Sequence, residues 1–181
     1  MEYEKRNCYI LFCWLRGVHN MIQIKKLDAS HKSELTNLIK VVTQSIENPL
    51  WFRPFDENEI EAILIGDIMA LGAFSDQNEL MAISVLFPIR WHEILLGKNP
   101  SKTLQLGGCM TLPKFRGNSL MFKLGKALFA HAKAEGYTDI VATVHPDNAA
   151  SIKTFLKLEM KYQKEMTLQE KFLRHIYALS L

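Results

Sequence analysis

Leu112-Pro-Lys-Phe-Arg-Gly-Asn-Ser-Leu120, echoed later by His145-Pro-Asp-Asn148, decides how this chain is read. The first stretch leaves an apolar strand, turns at Gly117 and enters an amphipathic helix. The second leaves another apolar strand and enters another helix through Asn148. A helix start carries unpaired amides and a partial positive charge, so two such turns can set main-chain donors beside a pyrophosphate.

Around these turns the pattern is regular. Lys102–Leu112 reads as a strand interrupted by Gly107-Gly108, a pair that suggests a bulge or a close backbone approach. In Ser119–Glu135, Leu120, Leu124, Ala127, Leu128 and His131 recur at helical spacing, and Gly136 ends the helix. Asp139–Val144 is a β-branched strand. Strand, helix and strand in that order require a crossover, hence a parallel pair inside a mixed sheet. Asn148–Leu158 predicts a helix with Ile152, Phe155 and Leu156 on one face; Lys161–Gln169 and Phe172–Leu181 predict an antiparallel pair.

Upstream, Ile22–Leu27 reads as a strand. Asp28 or Ser30 is placed to cap a helix carrying Leu35, Leu38, Ile39, Val42 and Ile46, which Asn48-Pro49 ends. Asp56 and Glu59 have capping-box spacing before Ile60, Ile63 and Leu64, with Gly66 closing that helix. Ile68–Phe74 and Leu80–Phe87 flank the turn-forming Ser75–Asn78 and predict a hairpin, followed by a loop from Pro88 to Pro100.

The chain has 181 residues, 48% hydrophobic and 23% charged, which suits one domain with a sizeable core. A net charge of +3 without a basic–aromatic cluster gives no footing for nucleic acid, and no apolar run approaches the length a membrane helix needs. Cys8, Cys13 and Cys109 form neither a disulfide framework nor a metal-ligand spacing, so no metal is expected and a reducing cytoplasm fits. Lys5-Arg6 precede an apolar run from Cys8 to Leu15, raising a signal peptide, but no small-residue cleavage site follows. Residues 1–20 are therefore expected to be a disordered extension or a mis-called start, and residues 21–181 a single domain.

With these elements in order, the chain resembles the GNAT superfamily of acyl-CoA-dependent N-acyltransferases over about residues 21–181. The family's pyrophosphate loop, Gln/Arg-x-x-Gly-x-Gly/Ala, aligns with Lys114-Phe115-Arg116-Gly117-Asn118-Ser119 after Pro113. Its second signature is an Asn opening the next helix, then an aromatic, then Gly-Phe; here stand Asn148, Ser151, Phe155 and, in place of Gly-Phe, Glu159-Met160. Lys114 keeps a cation but loses a planar fork, and Ser119 adds a hydroxyl. The resemblance implies an α/β fold of α+β type: a mixed, mostly antiparallel sheet with a central splayed parallel pair and helices on both faces. It implies acetyl-CoA or another acyl-CoA as co-substrate, with no metal. It implies a small-molecule or peptide amine as acceptor, without nucleic acid or membrane; a homodimer, frequent among relatives, stays open.

The implied cofactor contacts are Met110, Thr111 and Leu112 as an open strand edge opposite Val144 and His145, the turn Arg116, Gly117, Asn118, Ser119 and Leu120, and Asn148 with Phe155; Arg116 reads equally as a solvated surface residue, Asn148 as a helix N-cap and Phe155 as a core aromatic. The family's usual acid is a Tyr where this chain has Phe155, and the strand before the loop lacks the usual Glu. A thiolate leaves near neutral pH without an obligatory acid. Catalytic candidates are His145, which serves equally as a loop residue, and Gln105, as a holder of water. His92 and Glu93 are weaker ones. Cys109 is either an acyl carrier or an inert small apolar residue. Trp51, Phe52 and Phe55 form an aromatic wall for the acceptor or part of the core; Glu57, Glu59 and Glu61 attract an amine or complement the helix dipole. The rival readings are an acyl-CoA sensor without turnover, and a nucleotide-binding domain, which the lack of G-x-G-x-x-G and of Gly-Lys-Ser/Thr opposes.

Overall fold

The computed structural model describes residues 9–11 and 22–181. Among the described residues, eight strands and four α-helices follow in the order β1 (Tyr9–Leu11), β2 (Ile22–Lys25), α1 (Lys32–Ser45), α2 (Glu57–Ile65), β3 (Met69–Phe74), β4 (Leu80–Pro88), β5 (Thr103–Thr111), α3 (Leu120–Ala134), β6 (Asp139–Val144), α4 (Ala149–Lys157), β7 (Lys161–Leu168) and β8 (Phe172–Ser180). The sheet order is β1-β2-β3-β4-β5-β6-β8-β7. Every neighbouring pair is antiparallel except β5–β6, which is parallel. The mixed sheet with one parallel pair is thus present. The expectation for residues 1–20 falls mostly outside the described residues; within that stretch the backbone of Tyr9–Leu11 pairs with β2.

The two sheet faces bury different helices. α3 and α4 place Leu120, Leu124, Leu128 and Phe155 on one side, while α1 and α2 place Leu35, Leu38 and Ile63 on the other. Truncating a fully buried leucine such as Leu124 to alanine costs about 2–5 kcal/mol. Asp56 and Glu59 make the predicted capping box: the Asp56 carboxylate accepts the Glu59 amide at 2.9 Å, and the Asp56 amide donates to Glu59 at 3.0 Å.

Element ends differ from expectation where side chains compete for the backbone. Asp28 caps a 3-10 turn at Ala29–His31, which only then leads into α1. The predicted loop 88–100 holds another such turn at His92–Leu95, whose Ile94 packs against Val141 and Ile176.

Two features of β5 matter for function. Its parallel ladder with β6 ends at Leu106↔Ala142, while β6 continues alone with β8 to Val144↔His175. On its other side, Val85 pairs with Gly107 and Ile83 with Met110, so Gly108 and Cys109 together face Ser84. That is a bulge, with Gly108 at φ +55. A Cβ there would lie 2.3 Å from Cζ of Phe55, so both the dihedral and the packing require glycine. The bulge falls where β5 parts from β6, and the strands diverge from there.

Candidate active site

A cleft of about 490 Å³ opens at this divergence. Leu106, Cys109 and Thr111 of β5 form one wall, the turn Phe115–Phe122 the entrance, and Asn148 with α4 the facing wall. The end of α1 and Trp51 close it from the other side of the sheet. Both strand-to-helix turns singled out in the sequence therefore meet at one opening.

The first turn is shaped for an anion. Gly117 adopts φ +82 and Ser119 φ +57, so the chain twists through two left-handed positions before α3. The residue that Gly or Ala fills in the resembling pattern is thus in a left-handed conformation here, and its hydroxyl does not cap the helix. The Phe115 and Arg116 amides are engaged by Leu112 and Pro113 carbonyls, and the ordinary helical ladder begins at Lys123, which donates to Ser119 at 3.1 Å. Between them, the amides of Gly117, Asn118, Ser119, Leu120, Met121 and Phe122 meet no acceptor among the described residues. Such a run of unengaged donors at the start of a 15-residue helix suits an anion such as a diphosphate.

The edge of β5 is open in part. The Leu112 amide donates to the Met81 carbonyl at 3.0 Å. Alternation along the strand then turns the Thr111 amide and carbonyl toward the cleft. Met110 and Leu112 correct the sequence expectation: both side chains are buried in the α1–α2 core, and their backbones face β4. An added-strand partner would use Thr111, not its two neighbours.

The remaining predicted residues divide similarly. Arg116 lines the cleft and donates from Nη2 to the Ser45 hydroxyl at 2.7 Å. Asn118 donates to the Phe115 carbonyl at 3.0 Å, holding the turn. Asn148 accepts the Ser151 amide at 3.1 Å, an N-cap that also faces the cleft. Phe155 is buried at the cleft floor against Tyr177, ring centroids 5.7 Å apart. Lys114 points elsewhere, pairing with Glu79 at 2.5 Å.

Neither catalytic candidate lines the cleft. The His145 Nδ1 accepts the Asp147 amide at 3.2 Å, which in the neutral ring leaves the proton on Nε2 and no free lone pair for a base. Gln105 is 7% exposed on the strand segment still paired with β6, and its side-chain oxygen has no partner among the described residues. Cys109 does line the cleft, but burial pushes its thiol up to about 11, only partly opposed by the Ser84 hydroxyl 3.3 Å away.

Of the aromatic wall, only Trp51 reaches the cleft; Phe55 packs in the core between Phe52 and Phe87. Glu57, Glu59, Glu61, His92 and Glu93 stand away from it. Glu59 is buried beneath Arg53 and Arg90. Burial works against its charge, but the two guanidinium bonds and the Asp56 amide hold its carboxyl below the ordinary range. The sequence reading missed Ser45, Glu47, Lys153, Thr154 and Lys157. The i, i+4 lysines of α4 were legible as one helical face; Ser45 and Glu47 were not, because they come from the end of α1 and the segment after it, on the opposite side of the sheet.

Residues 34–160 match the Acetyltransferase (GNAT) family. The chain belongs to that family. It is an acyltransferase by family, and solved structures share its fold. The GNAT domain of S. lividans PAT is 15% identical, with a TM-score of 0.75 over 99% of this chain and 100% of that one. An N-acetyltransferase from Staphylococcus aureus Mu50 is 20% identical, with a TM-score of 0.66 over 90% and 99%. A GNAT superfamily phosphinothricin acetyltransferase from Sinorhizobium meliloti, solved in complex with AcCoA, is 13% identical, with a TM-score of 0.69 over 88% of each chain. A search of curated proteins finds no match. Among the described residues, no group of His, Cys, Asp and Glu is arranged to hold a metal, and no helix is long and apolar enough to cross a membrane.

Proposed function

We propose that this GNAT protein transfers an acetyl group from acetyl-CoA, or a related acyl-CoA, to an amine by direct attack. One observation carries the reading: six consecutive unengaged amides, Gly117 to Phe122, at the mouth of a cleft walled by β5 and α4. They would hold the diphosphate, the Thr111 main chain would bond the pantetheine arm, and Phe155 would pack near its sulfur end. The donor supplies a thioester whose acyl carbon takes the amine lone pair and whose sulfur departs with the bonding electrons.

The chain's own part is placement. Cys109 supports direct transfer over an acyl-cysteine, since a thiol near 11 is ionised only to roughly one part in ten thousand at pH 7. Proton removal falls to water in the cleft or to Glu47, the one carboxylate among its lining residues. Gln105, outside the cleft lining, would bond a separate water through its solitary oxygen. The acceptor enters past Trp51 and the end of α1.

Phe155 favours a second reading, an acyl-CoA sensor, because a phenyl ring cannot protonate the leaving sulfur. Free-thiol release from acetyl-CoA across a panel of polyamines, amino acids, aminoglycosides and peptide N-termini, beside a calorimetric titration with CoA, separates the two. Amine-dependent thiol release is expected. Tight CoA binding with no release by any class supports the sensor, and absence of CoA binding refutes both.

A further inference from the structure

The charges lining the cleft are uneven. Arg116, Lys153 and Lys157 face Glu47 alone, three cations against one carboxylate. Elsewhere this protein pairs many of its lysines and arginines: Lys32 with Glu61, Lys98 with Asp139, Lys114 with Glu79, and Arg53 and Arg90 with Glu59. Lys153 and Lys157 have no acidic partner within salt-bridge distance among the described residues. Set four apart on α4, they project from one face of that helix, with Cβ atoms about 5–6 Å from each other. Helix neighbours of like charge repel, and here the pair also borders a mouth that already holds the positive end of α3. An anion seated between the two ammonium groups would relieve that repulsion.

The amides of the α3 turn would take up the diphosphate, whereas the two lysines belong to α4, a separate element of the lining. The lysines therefore suit a second, separate anion on the same ligand. We propose that Lys153 and Lys157 form a seat for the ribose 3′-phosphomonoester of coenzyme A, so that the cleft distinguishes coenzyme A from its 3′-dephospho form. A phosphomonoester carries about −1.5 to −2 charges at pH 7 and three acceptor oxygens, enough for both ammonium groups. Lysine serves here as a compact point charge, which tolerates the varied approach of an exposed phosphate. The inference rests on the coenzyme reading above and adds which part of the coenzyme α4 reads.

Calorimetric titration of the full chain with coenzyme A and with 3′-dephospho-coenzyme A at low salt tests it, with no turnover required. The wild type is expected to bind coenzyme A about tenfold more tightly than the dephospho form, a preference that shrinks as salt rises. The Lys153→Ala/Lys157→Ala variant should lose about tenfold on coenzyme A while binding the dephospho form within about twofold of wild type. Lys153→Arg/Lys157→Arg should keep the preference. Both lysines are exposed, so the variants should melt with wild type; were the alanine pair to melt early, Lys153→Gln/Lys157→Gln gives the same readout. Equal wild-type affinity for the two ligands overturns the seat while leaving the coenzyme reading intact. An equal loss on both ligands would assign the lysines to the diphosphate instead and overturns it as well. Failure of the wild type to bind either ligand removes the coenzyme reading itself.

Discussion

Replacing Gly108 with alanine tests whether the bulge is what opens the cleft. Two costs add. At φ +55 a Cβ meets its own backbone, which costs about 1–2 kcal/mol. The same Cβ would lie 2.3 Å and 2.7 Å from two Phe55 ring carbons and 3.2 Å from a Val85 methyl. Phe55 is held by Phe52 and Phe87, so it cannot swing clear, and overpacking of this kind costs about 1–3 kcal/mol. The expected loss is about 2–5 kcal/mol, which for a domain of this size lowers Tm by about 5–15 °C. Urea and thermal unfolding measure it. Gly117→Ala is the control: its φ is +82 but nothing lies within 4 Å of the added carbon, so it should lose only the backbone part, about 1–2 kcal/mol. Phe55→Leu in the Gly108→Ala background should recover part of the packing cost, a positive coupling in a double-mutant cycle. If Gly108→Ala is no worse than Gly117→Ala, or the cycle shows no coupling, then the contact of Phe55 with the bulge does not hold β5 in place.

Three further outcomes are expected. Glu59 has its carboxyl held below the ordinary range, so its contribution is complete above about pH 4.3 and fades as pH falls toward the folded value; Glu59→Gln should cost about 1–3 kcal/mol at pH 7 and flatten that acid limb in urea titrations, and an unchanged limb would locate acid sensitivity elsewhere. Cys109→Ala should retain amine-dependent thiol release, and wild-type Cys109 should alkylate slowly with iodoacetamide at pH 7.5, while fast labelling or lost transfer would reinstate an acyl-cysteine. Arg116→Ala should weaken CoA binding several-fold, with Phe155→Tyr nearly neutral for binding; equal affinity of the arginine variant would take its guanidinium out of the site.

Much of this protein is written locally. The periodicity of Leu120, Leu124 and Leu128, the box of Asp56 and Glu59 and the crossover between two apolar strands depend on neighbours a few residues away, and sequence alone determined them. So were the two strand-to-helix turns, because Gly117 acts through its own backbone and Asn148 through a side-chain cap on an amide three residues away. Sequence did not determine which strand residues face the cleft. A single bulge at Gly108 and Cys109 shifts the register and turns Met110 and Leu112 inward, leaving Thr111 at the edge. Nor could it show that Ser45, Glu47 and Trp51, far from the turn in sequence, close the same opening. Those choices follow from where β5 and β6 part and from the helices packed on either face, contacts between distant segments that no local pattern encodes. Tertiary structure alone decided that the cysteine beside the cleft lies against Ser84, where burial pushes its thiol up.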